Sequence, residues 1–291
     1  MVFFIRELNY LKILVFWFLC AGLPCIANAS IETEKLPNGF FGSADYRPGN
    51  AGLPAVLVLH GFLSTRNFLT VSNLIEALAD EGYSVLAPNL TLGVNHRTVT
   101  LACEAVHTHS IDDDIEEINY WVEWLVRHGQ KNIVLVGHSY GSLHGLYYAV
   151  KYKNPAVKKL IAASLVDVDH AVARETAESQ IKAAQELVAK NDNGLKEYSI
   201  SYCKKYVAPP KAFLSYATWS RQRILTTISQ LTIPIEVILG SEDKRMGQGW
   251  PELLRKNGVT LHVIAGANHF FHNEQEFDLL DSVLSALRSV K

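Results

Sequence analysis

The stretch Asn132–Leu146, NIVLVGHSYGSLHGL, constrains this chain more than any other. Ile133-Val134-Leu135-Val136 is aliphatic at both alternating positions, as in a strand buried on both faces of a parallel sheet. Gly137 and Gly141 then bracket Ser139, and Ser142 to Val150 reads as a helix. The order strand, sharp turn, helix puts the central serine in a strained backbone conformation that needs small neighbours. Its hydroxyl then projects beyond the sheet edge. Gly137-His138-Ser139-Tyr140-Gly141 fits G-x-S-x-G, the pattern of a turn that presents a nucleophile, and the flanking elements make the match specific.

Ile13 to Ala27 is an apolar run preceded by Arg6 and Lys12, and Ala27-Asn28-Ala29 supplies small residues where a signal peptidase reads. Residues 1–29 are therefore expected to be a cleaved secretory signal, so that the chain is exported, periplasmic or secreted, and begins at Ser30. The alternative is an uncleaved membrane anchor, although the run is shorter than a span needs and is broken by Gly22 and Pro24. A lipoprotein signal fits poorly, because Leu19 and Pro24 precede Cys20 and Cys25. No stable membrane span is expected after signal removal. The remainder, 30–291, is long enough for one large α/β domain. With 27 basic against 29 acidic residues in the whole chain there is no basic excess, and nucleic acid is not expected as a partner.

Strands alternate with helical patterns through most of 30–291, which predicts α/β architecture with a parallel sheet covered by helices on both faces. Ile31–Leu36 and Phe40–Tyr46 flank the turn signal Pro37-Asn38-Gly39 and predict an antiparallel hairpin. Further strands are predicted at Ala55–Leu59, Tyr83–Ala87, Val157–Val166, Ile233–Leu239 and Val259–Ile264. Helices are predicted at Val71–Glu81, Ile111–His128 and Gln275–Arg288. Between about 170 and 231 no strand is predicted, but helices are expected at Thr176–Lys190 and Arg221–Gln230. This insertion reads as a helical cap over the carboxyl ends of the strands, where such sheets build ligand sites.

A serine nucleophile needs a base, an orienting acid and oxyanion donors. Gly266-Ala267-Asn268-His269-Phe270 places His269 after the last strand, and Gly240-Ser241-Glu242-Asp243 places Asp243 after the strand before it. His60-Gly61-Phe62 follows AVLVL, so that the amides of Phe62 and Tyr140 are the expected oxyanion donors. Asp167 and Asp169 end an earlier strand and compete with Asp243 for the acid. His138 is expected to be a buried, hydrogen-bonded neighbour of the serine.

LVLHGF, VGHSYG, ILGSED and GANHF, in this order, resemble the motifs of the α/β-hydrolase superfamily, and the resemblance spans Ile31 to Lys291. It implies a mainly parallel sheet of about eight strands and a serine hydrolase mechanism on Ser139, Asp243 and His269 with no cofactor; it does not fix the substrate, which is expected to be a small-molecule ester or acyl compound. A carboxylic ester is the expected substrate. A thioester or peptide would use the same chemistry, and a non-catalytic binding protein on the same fold is the alternative of another class. Oligomeric state is not legible. His107-Thr108-His109 with Asp112 to Asp114 has the composition of a metal site, but the acids fit a helix start equally well. Tyr202, Tyr206, Phe213, Tyr216 and Trp219 could line an acyl pocket or pack the cap. Cys103 and Cys203 remain after signal removal and either pair across cap and core or stay as two buried thiols.

Overall fold

The structure, a computed structural model, describes residues 29–290. The predicted signal lies outside the described residues except for its last position, Ala29. The chain opens with β1 (Ser30–Lys35) and β2 (Phe41–Arg47), the expected hairpin, followed by β3 (Ala55–Leu59), α1 (Leu69–Asp80), β4 (Val85–Asn89), α2 (Ile111–Arg127) and β5 (Ile133–His138). After these come α3 (Tyr140–Tyr152), β6 (Val157–Ala163), β9 (Ile235–Gly240), α8 (Trp250–Lys256), β10 (Thr260–Ile264) and α9 (Gln275–Arg288). The elements between β6 and β9 form an insertion: α4 (Val168–Ala171), α5 (Arg174–Ala189), β7 (Lys196–Ile200), β8 (Cys203–Ala208), α6 (Pro210–Ala217) and α7 (Arg221–Ser229).

Eight strands form one sheet in the order β1-β2-β4-β3-β5-β6-β9-β10. β2 runs antiparallel to β4, and the strands from β4 through β10 in this order are parallel. The double-sided apolar pattern of the central strands divides between two cores. Leu57, Leu59, Ile133 and Leu135 pack with Trp121, Leu125, Leu143 and Leu146 of α2 and α3. Val56, Val58, Val134 and Val136 pack with Val71, Leu74, Leu78, Leu279 and Val283 of α1 and α9. Successive side chains on a strand point to opposite faces, so both alternating positions are apolar. Among the described residues no helix is long and apolar enough to cross a membrane.

The insertion corrects one expectation, because β7 and β8 pair antiparallel as a separate two-stranded sheet where no strand was predicted. Only one face of this hairpin is covered. Tyr198 and Ile200 on β7 and Cys203, Tyr206 and Ala208 on β8 are buried, while Lys204 and Lys205 stay in water. The short helices α6 and α8 also went unpredicted, since each is too brief for its period to stand out. Cys103 and Cys203 are bonded, with Cα atoms 5.4 Å apart and 100 residues between them in sequence. The loop carrying Cys103 also meets β8 through the amide of His107, which donates to the Val207 carbonyl at 2.8 Å. Hairpin and core are thus joined by sulfur and by backbone.

Candidate active site

Ser139 lies between β5 and α3 with φ 58° and ψ −123°, a left-handed conformation that costs a non-glycine residue roughly 1–3 kcal/mol. The two glycines of the motif make the turn sterically possible. A Cβ on Gly137 would sit 2.3 Å from the Gly141 carbonyl carbon, and one on Gly141 would sit 2.2 Å from the Leu59 carbonyl oxygen. The turn is pinned from outside by Ser139 N–H donating to the Ala163 carbonyl at 2.9 Å. The Ser142 hydroxyl lies 2.8 Å from the carbonyls of both Gly137 and Ala163 and shares its proton between them.

His269, on the loop after β10, meets Ser139 and Asp243 at once. Its Nε2 is 2.9 Å from Ser139 Oγ and its Nδ1 is 2.7 Å from Asp243 Oδ2. The carboxylate can only accept, so Nδ1 carries the proton and Nε2 is left to accept from the serine hydroxyl. The other Asp243 oxygen accepts from the Arg245 amide at 2.8 Å. The His269 carbonyl is held by the Ser164 hydroxyl at 2.8 Å and by His138 Nε2 at 2.9 Å. Burial and the neighbouring His269 press the His138 pKa down to about 3, so its imidazole is neutral and acts as a strut. The rival acid is elsewhere engaged. Asp167 accepts from Arg221 Nε at 2.8 Å, Arg221 Nη2 at 2.5 Å and the Gly247 amide at 2.7 Å, while Asp169 accepts from the Arg221 amide at 3.0 Å.

The loop after β3 lies directly against the serine, since a Cβ on Gly61 would be 3.3 Å from Ser139 Cβ. His60 anchors this loop. Its Nδ1–H donates to the Gly61 carbonyl at 2.9 Å, and its Nε2 accepts from the Leu90 amide at 3.1 Å and Arg97 Nη2 at 3.0 Å. Burial first, and Arg97 second, hold the His60 pKa near 3 and keep the ring neutral for both tasks. The Tyr140 amide is the first of α3 and has no intrahelical acceptor. The Phe62 amide has no acceptor among the described residues. The Phe62 and Tyr140 rings pack at 4.7 Å between centroids, which ties the two candidate donors together.

Ser139, Asp243 and His269 are 7 %, 7 % and 5 % exposed, so a ligand reaches the serine only through cavities. Two cavities meet there. One of about 190 Å³ is lined by Tyr140, Val166, Val168, Ser201 and Lys244, the other of about 250 Å³ by Gly61, Phe62, Phe68, Thr100 and Phe270. Ser139, Tyr202 and Arg245 line both. The Tyr202 hydroxyl donates to the Phe62 carbonyl at 3.0 Å, which fixes its ring between them. Of the aromatics singled out in the insertion, only Tyr202 lines these cavities; Tyr206, Phe213, Tyr216 and Trp219 are buried in packing. Sequence reasoning did not find Arg245, whose one signal is its place two residues after Asp243.

The metal-like composition near residue 110 resolves into structure. Ser110 and Asp113 form a capping box, Asp112 accepts from Tyr147 and Lys151, and Asp114 accepts from the Tyr216 hydroxyl. Among the described residues no group of three histidine, cysteine or acidic side chains is arranged to hold a metal ion.

A family model described as alpha/beta hydrolase fold matches residues 54–198. The chain belongs to the α/β-hydrolase superfamily. Among solved structures it is similar to the α/β hydrolase GrgF from Penicillium sp. sh18, at TM-score 0.70 and 14% identity, covering 90% of this chain and 98% of that one. It is also similar to Est1E from Butyrivibrio proteoclasticus, at TM-score 0.63 and 15% identity, covering 90% and 100%. A third is the thioesterase domain from the curacin biosynthetic pathway, at TM-score 0.61 and 17% identity, covering 89% and 99%. No curated protein sequence matches the chain.

Proposed function

We propose that the protein is an exported serine hydrolase that cleaves a carboxylic ester through an acyl-enzyme intermediate. The observation that carries this reading is the unbroken pair of hydrogen bonds from Ser139 through His269 to Asp243. Ser139 Oγ attacks the ester carbonyl while its proton passes to His269 Nε2. The carbonyl oxygen becomes an oxyanion held by the Phe62 and Tyr140 amides. Collapse breaks the bond to the alcohol, which leaves with the proton from Nε2. Water, deprotonated by the same nitrogen, then attacks the acyl-enzyme, and the acid departs as the Ser139 hydroxyl reforms. Asp243 holds the imidazole in the tautomer this requires and stabilises the imidazolium.

In this reading residues 1–29 are a cleaved signal, 30–291 are the hydrolase domain, and the insertion of about 170–231 is its cap. The bonded cysteine pair supports export, because disulfides persist in oxidising compartments. A fluorophosphonate probe tests the chemistry. Labelling of the wild type and not of Ser139→Ala is expected, whereas folded protein that resists the probe would favour a binding module. N-terminal sequencing of protein from the cell exterior or periplasm tests the processing: a start at Ser30 is expected, and one at Met1 would make the segment an anchor.

A further inference from the structure

We propose that the protein selects an ester whose acyl group carries a negative charge, held by the Arg245 guanidinium where the two cavities meet at Ser139. This rests on the hydrolase reading above and adds the substrate class to it.

The Arg245 backbone is fixed by the same carboxylate that orients His269, through its amide bond to Asp243 Oδ1. Its side chain is held by rings: the guanidinium carbon stands 4.7 Å from the Phe270 centroid and 5.4 Å from that of Tyr202. An arginine stacked on aromatic faces is oriented without spending its N–H fork, which stays free for a ligand. Among the described residues no carboxylate forms an ion pair with it. Asp243 is engaged with His269, Asp167 with Arg221 and the Gly247 amide, and Asp169 with the Arg221 amide. Glu242 is exposed. Lys244 and His170 line the smaller cavity beside it.

Arg245 is exposed, so its place at the mouth of both cavities, and not burial, separates it from an ordinary surface cation. On a flat face the guanidinium would keep its water whatever bound nearby. Here it walls both cavities, whose remaining lining includes Val166, Val168, Phe62, Phe68 and Phe270. A neutral substrate filling them displaces the part of the cation's water that faces the cavities and offers nothing in return, while an anion replaces those hydrogen bonds with charge-assisted ones. The arrangement therefore rewards an anion and penalises its neutral isostere.

Carboxylate and phosphate share this chemistry, so the test carries both. The full-length protein is assayed on 4-nitrophenyl hemiglutarate, on its neutral methyl ester, and on a 4-nitrophenyl acyl ester of similar length ending in a phosphate monoester. The quantity read is the ratio of kcat/KM for each anionic ester to that for the neutral one, which cancels any loss common to both. The wild-type ratio is expected to exceed about 10 for at least one anion, to fall about 10- to 100-fold in Arg245→Ala, to be partly kept in Arg245→Lys and to invert in Arg245→Glu. Which anion gives the larger ratio distinguishes carboxylate from phosphate. Protection of Ser139 from the fluorophosphonate by glutarate, against dimethyl glutarate, reads the same preference without turnover. Labelling with a ratio near one in both measurements, or a ratio indifferent to residue 245, overturns this proposal alone. Absence of Ser139-dependent labelling overturns the hydrolase reading and this proposal with it.

Discussion

Ser139 holds a backbone angle that only surrounding structure can enforce, and in the proposed mechanism it acts as one unit with His269 and Asp243. Ser139→Ala and His269→Ala are each expected to lower kcat on a good ester by about 10⁴ to 10⁶ while the fold survives. Circular dichroism together with the rate checks both halves, and a serine variant with most of its activity would remove the nucleophile. Asp243→Asn is expected to cost on the order of 10⁴ by favouring the wrong histidine tautomer. Asp167→Asn, which touches Arg221 and not His269, is expected to change Tm more than kcat. The reverse ranking would hand the orienting role to Asp167. These residues were legible because each sits just past a strand end whose apolar run marks it in the sequence. Arg245 was not, and Tyr202 was legible only as one of five aromatics that line a pocket or pack the cap, since what makes them a site is contact with Phe270 and Phe62, far away in the chain.

At the scale of elements, the β5 turn is governed by two absent side chains. Gly137→Ala or Gly141→Ala drives a methyl into backbone at 2.3 or 2.2 Å, where no side-chain rotation relieves it. Each is expected to lower stability by about 1–3 kcal/mol and to abolish fluorophosphonate labelling by displacing Ser139. Unchanged labelling and Tm would mean that the turn is softer than its contacts imply. The sheet strands and long helices were readable because both of their periods repeat over enough residues. The β7–β8 hairpin escaped because its strands are five and six residues long and covered on one face. Its alternation at Tyr198/Ile200 and Tyr206/Ala208 was present, but lysines and a tight turn shortened it below recognition.

At the scale of the whole molecule, protonation and sulfur set the limits of stability. Between pH 6.5 and about 3 the unfolded chain takes protons on His60 and His138 that the folded chain refuses, so the stability tied to their neutrality is complete above pH 6.5 and is lost on acidification. Glu117, raised to about 7 by burial, acts in the opposite sense as pH rises from 4.5 to 7. Two groups outweigh one, and Tm is expected to be lower at pH 5 than at pH 7; calorimetry at the two values checks it, and an equal or higher Tm at pH 5 would contradict it. Intact mass after alkylation is expected to show no free thiol in 30–291 until reductant is added. Reduction is then expected to cost about 2–4 kcal/mol, because the bond closes a loop of 100 residues.

That bond also makes the middle of the chain a covalent ring. The ring contains Ser139, β5, β6 and the exposed turn Asn191–Leu195, while Asp243 and His269 hang from the tail beyond it. A protease that cuts the turn opens the ring but liberates no fragment, since both ends stay on one sulfur bridge. The two halves also share the sheet that aligns the serine with its partners. A nicked molecule should therefore run as one species on a gel without reductant and as two with it, and should keep the intact protein's level of fluorophosphonate labelling until the sulfurs are reduced.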